Sequence, residues 1–217
     1  LAIVGRPNVG KSSLINALLN EKKVLVDNKP GTTRDAIELP LRFKEQAFTI
    51  IDTAGLRRKA RVKERIEYFS TVRSTNAIES STVVVVVLDA SELLLDQDKK
   101  IINLAIRKQQ NIVIYINKWD LTERTDANRD RMIEALTQQI PELKNYPILV
   151  GSVELRHQLT KILETVKDVY MNTKKRVSTS DLNQFVESMI RNYPPVSKSG
   201  EFIKFYYAVQ VDINPAS

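Results

Sequence analysis

The eight residues from Gly5 to Ser12 constrain the fold more than any other stretch, because of what stands on either side of them. Residues 1–4 form a short apolar run that predicts a buried strand, and residues 13–19 carry apolar side chains at helical spacing. A glycine-containing loop between a strand and a helix turns backbone N–H groups and a helix N-terminus toward one point. That geometry suits an anion.

The same stretch fits the phosphate-binding pattern G-x-x-x-x-G-K-[ST] without a mismatch. Gly5 and Gly10 allow the backbone to approach phosphate oxygens where a Cβ would clash. Lys11 is predicted to reach the β- and γ-phosphates, and the Ser12 hydroxyl to bind Mg²⁺. The predicted phosphate site consists of Gly5, Arg6, Pro7, Asn8, Val9, Gly10, Lys11, Ser12 and Ser13.

Length and composition narrow the class of protein. The chain has 217 residues, which is room for one full domain and part of another, and 42% of them are hydrophobic. It contains no cysteine, which excludes disulfides and fits a cytoplasmic location. Its longest apolar run, residues 83–88, is too short to span a membrane. The net charge of +7 favours a polyanionic partner such as RNA.

Strands and helices alternate along the first 173 residues, which predicts a mostly parallel α/β sheet with helices on both faces. Ligand loops of such a sheet collect at the carboxyl ends of its strands. The predicted strands are 1–4, 82–88, 112–116 and 147–150, with a hairpin of 36–43 and 47–51; the predicted helices are 13–19, 96–108, 128–140 and about 158–171.

Composition shifts at residues 172–176, so we predict a domain of residues 1–173 and a second, partial one of residues 174–217. In the second, Ser178 is predicted to cap a helix that ends before Pro194-Pro195. Residues 202–211 alternate like a strand. One helix and one strand cannot bury a core by themselves. The predicted apolar face of the helix is Leu182, Phe185, Val186, Met189 and Ile190.

A second motif, which begins with an aspartate, follows the hairpin. Asp52 comes directly after a predicted strand, where a carboxylate is costly unless a cation or hydrogen bonds balance it. Mg²⁺ held by Asp52 and Ser12 supplies that balance. The backbone N–H of Gly55 is predicted to contact a γ-phosphate, and the predicted contact set of this motif is Asp52, Thr53, Ala54 and Gly55.

The base is predicted to be guanine, because Asn117-Lys118-Trp119-Asp120 fits N-K-x-D. The Asp120 carboxylate can accept from the ring N–H and the exocyclic amine of guanine; opposite adenine it would stay unpaired, which costs about 1–3 kcal/mol. Asn117 is predicted to tie this loop to the phosphate loop, and the Lys118 stem to pack on the base. Ser152-Val153 is predicted to offer a backbone N–H to the guanine carbonyl, and Trp119 to fill the core.

These motifs together resemble the five signatures of translation-factor-type GTPases. Residues 30–35, Pro-Gly-Thr-Thr-Arg-Asp, are similar to the TrmE–Era–EngA branch. Residues 57–59, 67–73 and 117–120 resemble the second G domain of the Der (EngA) family, which are bacterial tandem GTPases of ribosome assembly. Residues 176–185, 194–195 and 204–211 resemble the start of the KH-like domain of that family.

The resemblance implies a GTP-binding and GTP-hydrolysing switch that acts in assembly of the large ribosomal subunit and contacts rRNA. It also implies a first G domain before Leu1 and the rest of a KH-like domain after Ser217. Two alternatives remain open at this point. One is a tRNA-modification GTPase like TrmE, and the other is an RNA-binding scaffold that binds GTP but hardly hydrolyses it.

The resemblance also implies ligand roles. Thr33 joins Ser12 and Asp52 around Mg²⁺, and Asn8 contributes to a K⁺ site near the phosphates. The implied catalytic set is Lys11, Thr33, Gly55 and Asn8.

Many GTPases position the attacking water with a glutamine after the aspartate motif, but here that position is Leu56. We therefore predict slow intrinsic hydrolysis that K⁺ raises more than Na⁺. An arginine finger from Arg57 or Arg58 is the competing explanation. Residues 57–65 are predicted to change shape when the γ-phosphate is lost.

The guanine loop departs from the family pattern. The family has Ser-Ala followed by a turn with glycine, whereas this chain has Ser152-Val153-Glu154-Leu155-Arg156. The sequence therefore puts the shape of this turn in question.

The sole histidine, His157, is predicted to be a surface residue and not a metal ligand.

Overall fold

The computed structural model describes residues 1–26, 38–51, 75–197 and 199–211. The chain divides into two compact units, and the division falls between Tyr170 and Met171.

Four parallel strands form the main sheet of the first unit, in the spatial order β1-β5-β6-β7. Their bounds are Ala2–Val4 (β1), Val83–Asp89 (β5), Asn111–Asn117 (β6) and Ile148–Val150 (β7). All three pairings are parallel, so the four carboxyl ends lie along one edge. The predicted parallel sheet is confirmed.

Three antiparallel strands form a second sheet: Val24–Val26 (β2), Leu39–Phe43 (β3) and Gln46–Ile50 (β4). A parallel bridge between Ala2 and Ile51 joins it to β1. The predicted hairpin is confirmed, but its turn is shorter than predicted, because Gln46 pairs with Phe43 and belongs to β4.

The valine run of β5 is buried along its whole length, because alternate residues pack into two different cores. Val84, Val86 and Leu88 face one core, and Val83, Val85 and Val87 face the other. A strand buried on both faces reads as a continuous apolar run, and each fully buried valine contributes about 1.5–3 kcal/mol.

Helices cover both faces of the parallel sheet, as predicted. Their bounds are Lys11–Leu19 (α1), Asp96–Arg107 (α2), Asp126–Gln139 (α3) and Leu159–Thr173 (α4), and residues 75–80 are also helical. Helix α3 begins two residues earlier than predicted, because the Thr125 hydroxyl accepts from the Asn128 N–H and caps it. No helix in the described part of the chain is long and apolar enough to cross a lipid bilayer.

The described part of the second unit contains the last residues of α4 and a further helix, Thr179–Asn192 (α5), which begins where the sequence predicted. The Ser178 hydroxyl accepts from the Asp181 N–H at 3.1 Å and caps the helix. None of the described residues between 171 and 211 is buried.

The predicted strand over residues 202–211 is wrong for the described residues, which form no strand there. A strand needs a neighbour for its backbone groups, and among the described residues the one bridge to this segment joins Phe202 to Val196. Side chains bind the backbone instead. Asn183 accepts from the Ala208 N–H and donates to the Ala208 carbonyl, each at 2.8 Å.

Candidate nucleotide-binding site

The predicted phosphate loop connects β1 to α1 at the carboxyl edge of the parallel sheet. Gly10 precedes α1 with φ of +100°, and a Cβ there would lie 2.3 Å from Asn117 Nδ2. A Cβ on Gly5 would lie 2.4 Å from the carbonyl oxygen of Val87. Both positions therefore require glycine for space, and both have a positive φ that L-residues rarely adopt, +150° at Gly5 and +100° at Gly10.

The amino end of α1 has no side-chain cap. Its N-cap is Gly10, which has no side chain, and no acidic residue lies in the first turn. The first N–H groups of a helix need partners from outside the helix, and the helix dipole makes this end partly positive. The end of α1, with Ser12 and Ser13 in its first turn, can thus receive an anion.

Lys11 stands at the start of α1, and its ammonium donates to the Arg6 carbonyl at 2.7 Å. Burial lowers the pKa of Lys11 to about 8; the nearby Asp98 carboxylate opposes this shift and the Arg6 cation adds to it. Among the described residues, the hydrogen-bond partner of this ammonium is a neutral carbonyl. A phosphate would supply a close counter-charge.

Two carboxylates hold the Arg6 guanidinium, and the sequence prediction missed both. Arg6 Nε donates to Asp98 Oδ2 at 3.2 Å, and Nη1 donates to Glu92 Oε2 at 2.9 Å. Burial raises the pKa of Asp98, although Arg6 and the Leu95 N–H oppose the shift. The signal in the sequence was weak, because acidic residues near a helix start are common caps.

Asn117 joins the two predicted loops, as its motif suggested. Its buried Nδ2 donates to the Val9 carbonyl at 2.8 Å, and its Oδ1 accepts from the Val153 N–H at 3.1 Å. One side chain thereby connects the phosphate loop, the end of β6 and the loop after β7. The Val153 N–H, predicted for the guanine carbonyl, has this internal partner in the structure.

Asp120 and Ser152 lie side by side at the same edge, where the Ser152 hydroxyl donates to Asp120 Oδ1. The Leu155 N–H in turn donates to Ser152 Oγ at 3.1 Å. The hydrogen bond from Ser152 therefore orients the Asp120 carboxylate before any base is present. Tyr115 lies nearby: burial, and secondarily the Asp120 charge, raises its pKa, and its hydroxyl lies 3.5 Å from the His157 carbonyl oxygen.

Lys118 makes an ion pair with Asp89 at the end of β5, with 2.6 Å between Nζ and Oδ2. Burial alone would raise the pKa of Asp89, but Lys118 and Ser91 bind the carboxylate and hold its pKa below the usual range.

The predicted packing role of Trp119 is confirmed, since its side chain is buried in the core.

The turn of the guanine loop places two L-residues in the left-handed region: Arg156 has φ of +51° and Gln158 has φ of +64°. This conformation costs an L-residue about 1–2 kcal/mol. We expect Arg156→Gly and Gln158→Gly each to raise the free energy of unfolding by about 1 kcal/mol in urea titrations. Glu154→Gly is the control, because Glu154 has no positive φ. If all three variants were less stable than the wild type, the backbone strain assigned to Arg156 and Gln158 would be contradicted.

Part of the predicted site lies outside the described residues, namely Thr33, Asp52, Thr53, Ala54, Gly55, Leu56 and residues 57–73. The described part brings together the residues of the phosphate loop, Asn117, Lys118, Asp120, Ser152 and Val153 at one edge of the sheet. Of the predicted Mg²⁺ ligands, Ser12 stands in the first turn of α1, where its hydroxyl oxygen suits a hard cation.

This geometry agrees with comparisons to known proteins. The family model described as 50S ribosome-binding GTPase matches residues 1–118, which is more than half of the 217 residues. The chain belongs to this family. A second family model, described as KH-domain-like of EngA bacterial GTPase enzymes, C-terminal, matches residues 176–217. The predicted P-loop G domain followed by a KH-like region is confirmed.

Curated relatives carry the name GTPase Der. The protein of Natranaerobius thermophilus is 40% identical over 215 residues, covering 99% of this chain and 49% of that protein. The protein of Chlorobium chlorochromatii is 43% identical over 211 residues, covering 97% of this chain and 48% of that protein. The resemblance to the Der family is confirmed. The chain spans about half the length of these relatives.

Solved structures of the same architecture include Era in complex with MgGDPNP and nucleotides 1506–1542 of 16S ribosomal RNA. It is 26% identical with a TM-score of 0.58, and the match covers 76% of this chain and 54% of that one. An Era variant from Aquifex aeolicus bound to GDP and aluminium fluoride is 27% identical with a TM-score of 0.57, over the same shares.

Proposed function

We propose that this chain binds GTP and GDP with Mg²⁺, hydrolyses GTP, and acts as a switch in assembly of the large ribosomal subunit. The carrying observation is the buried hydrogen bond from Asn117 Nδ2 to the Val9 carbonyl, at 2.8 Å. It ties the N-K-x-D motif to the phosphate loop, so that one ligand with a guanine base and phosphates can bridge both.

Different residues of the site bind the phosphates and the base of GTP. The N–H groups at the start of α1 and the Lys11 ammonium neutralise charge that develops on the β- and γ-phosphates. Asp120 reads the base, and Asn117 holds the Val153 N–H of the neighbouring loop. Mg²⁺, held by Ser12 with Thr33 and Asp52, supplies further neutralisation at the phosphate oxygens when bound. Gly55 and Thr33 sense the γ-phosphate, and its loss releases their segments.

Nucleotide binding should be accompanied by proton uptake by the protein, because Lys11 must be charged to hold a phosphate. Its pKa of about 8 in the free protein means that half the molecules carry a neutral Lys11 at that pH. The complex keeps the charged form, so GDP binding should take up about half a proton at pH 8, where the phosphates of GDP are already ionised, and less as the pH is lowered toward 7. Affinity should fall about tenfold between pH 7 and pH 9.

Calorimetry in two buffers of different ionisation enthalpy measures this uptake. Lys44→Gln is a matched control, because Lys44 pairs with Glu164 on the surface and its loss should leave the uptake unchanged. No proton uptake at pH 8 would contradict the assigned state of Lys11.

A K⁺ ion bound partly by Asn8 is proposed to assist hydrolysis. Leu56 cannot orient water, and Asn8 stands in the phosphate loop with φ of +65°. GTP turnover should be faster in KCl than in NaCl of equal ionic strength. Asn8→Gly keeps this backbone angle accessible and removes the side-chain oxygen, so it should abolish the K⁺ advantage. Asn20→Ala, just after α1, serves as the control.

Two outcomes of this assay would change the proposal. Equal turnover in both salts would reject the K⁺ site and favour an arginine finger from Arg57 or Arg58. Tight binding of GTP without turnover in either salt, even with large ribosomal subunits present, would favour the RNA-binding scaffold. The KH-like match over residues 176–217 speaks against a tRNA-modification GTPase.

The proposed partners are the large ribosomal subunit and its rRNA, and the proposed location is the cytoplasm. Support comes from the 50S ribosome-binding description of the family and from the net charge of +7. The Era neighbour solved with ribosomal RNA supports the same partner class. Because this attraction would be electrostatic, binding of the chain to ribosomal RNA should weaken steeply as salt is added.

A further inference from the structure

Ten residues, from the last residue of β5 into α2, carry no GTP-binding signature, yet they contact both halves of the site. They begin at Asp89, pass through a short 3₁₀ turn at Ala90–Glu92, and enter α2 at Asp96. Two carboxylates in this segment are almost removed from solvent, with exposures of 3% at Asp89 and 0% at Asp98. Buried carboxylates are costly, so their partners show what the segment holds.

On the phosphate side the segment holds Arg6. Besides the two ion pairs to Asp98 and Glu92, the guanidinium donates from Nη2 to the Glu92 carbonyl at 3.0 Å. Arg6 is only 9% exposed, and each of its three nitrogens has a partner in the segment. Such a fork-like set of contacts fixes the arginine in orientation as well as position.

The position of Arg6 matters because its own carbonyl accepts the Lys11 ammonium at 2.7 Å. Helix α2 therefore acts on the phosphate-binding lysine through one intermediate residue. Asp98 also accepts from the Leu95 N–H at 3.0 Å, which anchors the carboxylate to the start of α2. No described residue donates to its other oxygen, Oδ1. Arg6 is thus the main counter-charge of this buried group.

On the base side the segment holds Lys118 through Asp89. One carboxylate oxygen binds Lys118 Nζ at 2.6 Å, and the other accepts from the Ser91 N–H at 3.0 Å and the Ser91 hydroxyl at 2.6 Å. Asp89 is the direct β-sheet neighbour of Asn117. The carboxylate that orients Lys118 is therefore itself fixed on both sides.

We propose that residues 89–98 form a brace that positions the phosphate loop and the guanine loop relative to each other. Asp98 and Glu92 act on the phosphates through Arg6 and Lys11, and Asp89 acts on the base through Lys118. This inference rests on the proposed nucleotide binding, and it adds positioning residues to that site.

The test uses different nucleotides to separate the two ends of the brace. Displacement of a fluorescent GDP by GDP, GTP and GMP measures affinity for each. Asp98→Asn keeps an oxygen for the Leu95 N–H but removes the charge opposite Arg6. It should weaken GDP and GTP about tenfold, as expected for the loss of a charged hydrogen bond, and change GMP less than about twofold. GMP has no β-phosphate for Lys11 to hold.

Asp89→Asn should show the other pattern. It releases the Lys118 stem from the base, so GMP, GDP and GTP should weaken by the same factor, about five- to tenfold. A general loss of stability cannot produce two opposite ligand patterns. Glu79→Gln is the matched control, since Glu79 forms an exposed pair with Lys108 just beyond the far end of α2 and should alter no affinity.

A second phosphate-side variant covers the case in which Asp98→Asn does not fold. Glu92→Gln removes the ion pair between Arg6 and the exposed Glu92 carboxylate, and it should weaken GDP and GTP about threefold, again sparing GMP. Wild-type binding of GDP tests the proposed function by itself. If the wild type binds GDP but Asp98→Asn and Glu92→Gln weaken all three nucleotides equally, or if no variant weakens any of them, the brace is rejected. If the wild type binds no nucleotide, both proposals fail.

Discussion

Replacing Asp120 with asparagine is expected to shift the proposed preference for guanine nucleotides to xanthine nucleotides. In the proposed complex the carboxylate accepts from two guanine N–H groups, whereas an amide can accept from only one of them. A buried donor left unpaired costs about 1–3 kcal/mol, and repulsion between two donors adds to it. GTP affinity should therefore fall about 10²- to 10³-fold. Xanthine has a carbonyl in place of the amine, so the new amide N–H gains an acceptor.

The local structure should tolerate this change. The Asp120 carboxylate accepts from the Ser152 hydroxyl, and an asparagine oxygen at the same place still can. Binding and turnover of GTP and XTP measure the switch. Asp126→Asn is the control, because that side chain is 88% exposed at the start of α3. Wild-type affinity for GTP in Asp120→Asn would show that the base is read elsewhere.

Replacing Gly10 with alanine is expected to abolish nucleotide binding at micromolar concentrations. The new Cβ would lie 2.3 Å from Asn117 Nδ2, so Asn117 must move and lose its bond to the Val9 carbonyl. Losing that buried bond costs about 1–3 kcal/mol, and the φ of +100° adds strain of about 1–2 kcal/mol for an L-residue. Together these terms amount to about 2–5 kcal/mol, which predicts a loss of about 30- to 5,000-fold in affinity.

Gly200→Ala separates backbone strain from steric overlap. Gly200 has φ of +86°, but no described atom lies within 4 Å of its ideal Cβ position. Fluorescent GDP titration and thermal unfolding of both variants make the comparison. Gly200→Ala should retain full nucleotide affinity. Undiminished GDP affinity in Gly10→Ala would mean that the contact between the phosphate loop and Asn117 is not needed.

Much of the fold was predictable because its signals are local. The valine run of β5 indicated a strand buried on both faces, and alternate valines do pack into two cores. Gly10 and Asn117 were predictable from motifs with a known chemical purpose, and the structure places them in contact. The helix cap at Ser178 was also predictable, because capping depends on residues three positions apart.

The failures have a physical cause in common. Residues 202–211 alternate like a strand, but alternation does not provide the neighbouring strand whose backbone must pair with it. The positive φ values of Arg156 and Gln158 were not predictable either, since residues of these types rarely adopt that conformation. In both cases the outcome depends on surroundings that a local pattern does not contain.

By itself, the sequence determined the strand–loop–helix that presents N–H groups to phosphate, the guanine-reading motif and the order of strands and helices. These follow from spacing and residue chemistry over a few positions. Only the tertiary structure decided that Asp98 and Glu92 hold Arg6, more than 80 residues away along the chain, and that Asp89 holds Lys118. Such pairings arise when parallel strands bring their carboxyl ends to one edge, where burial makes each charge depend on its neighbours.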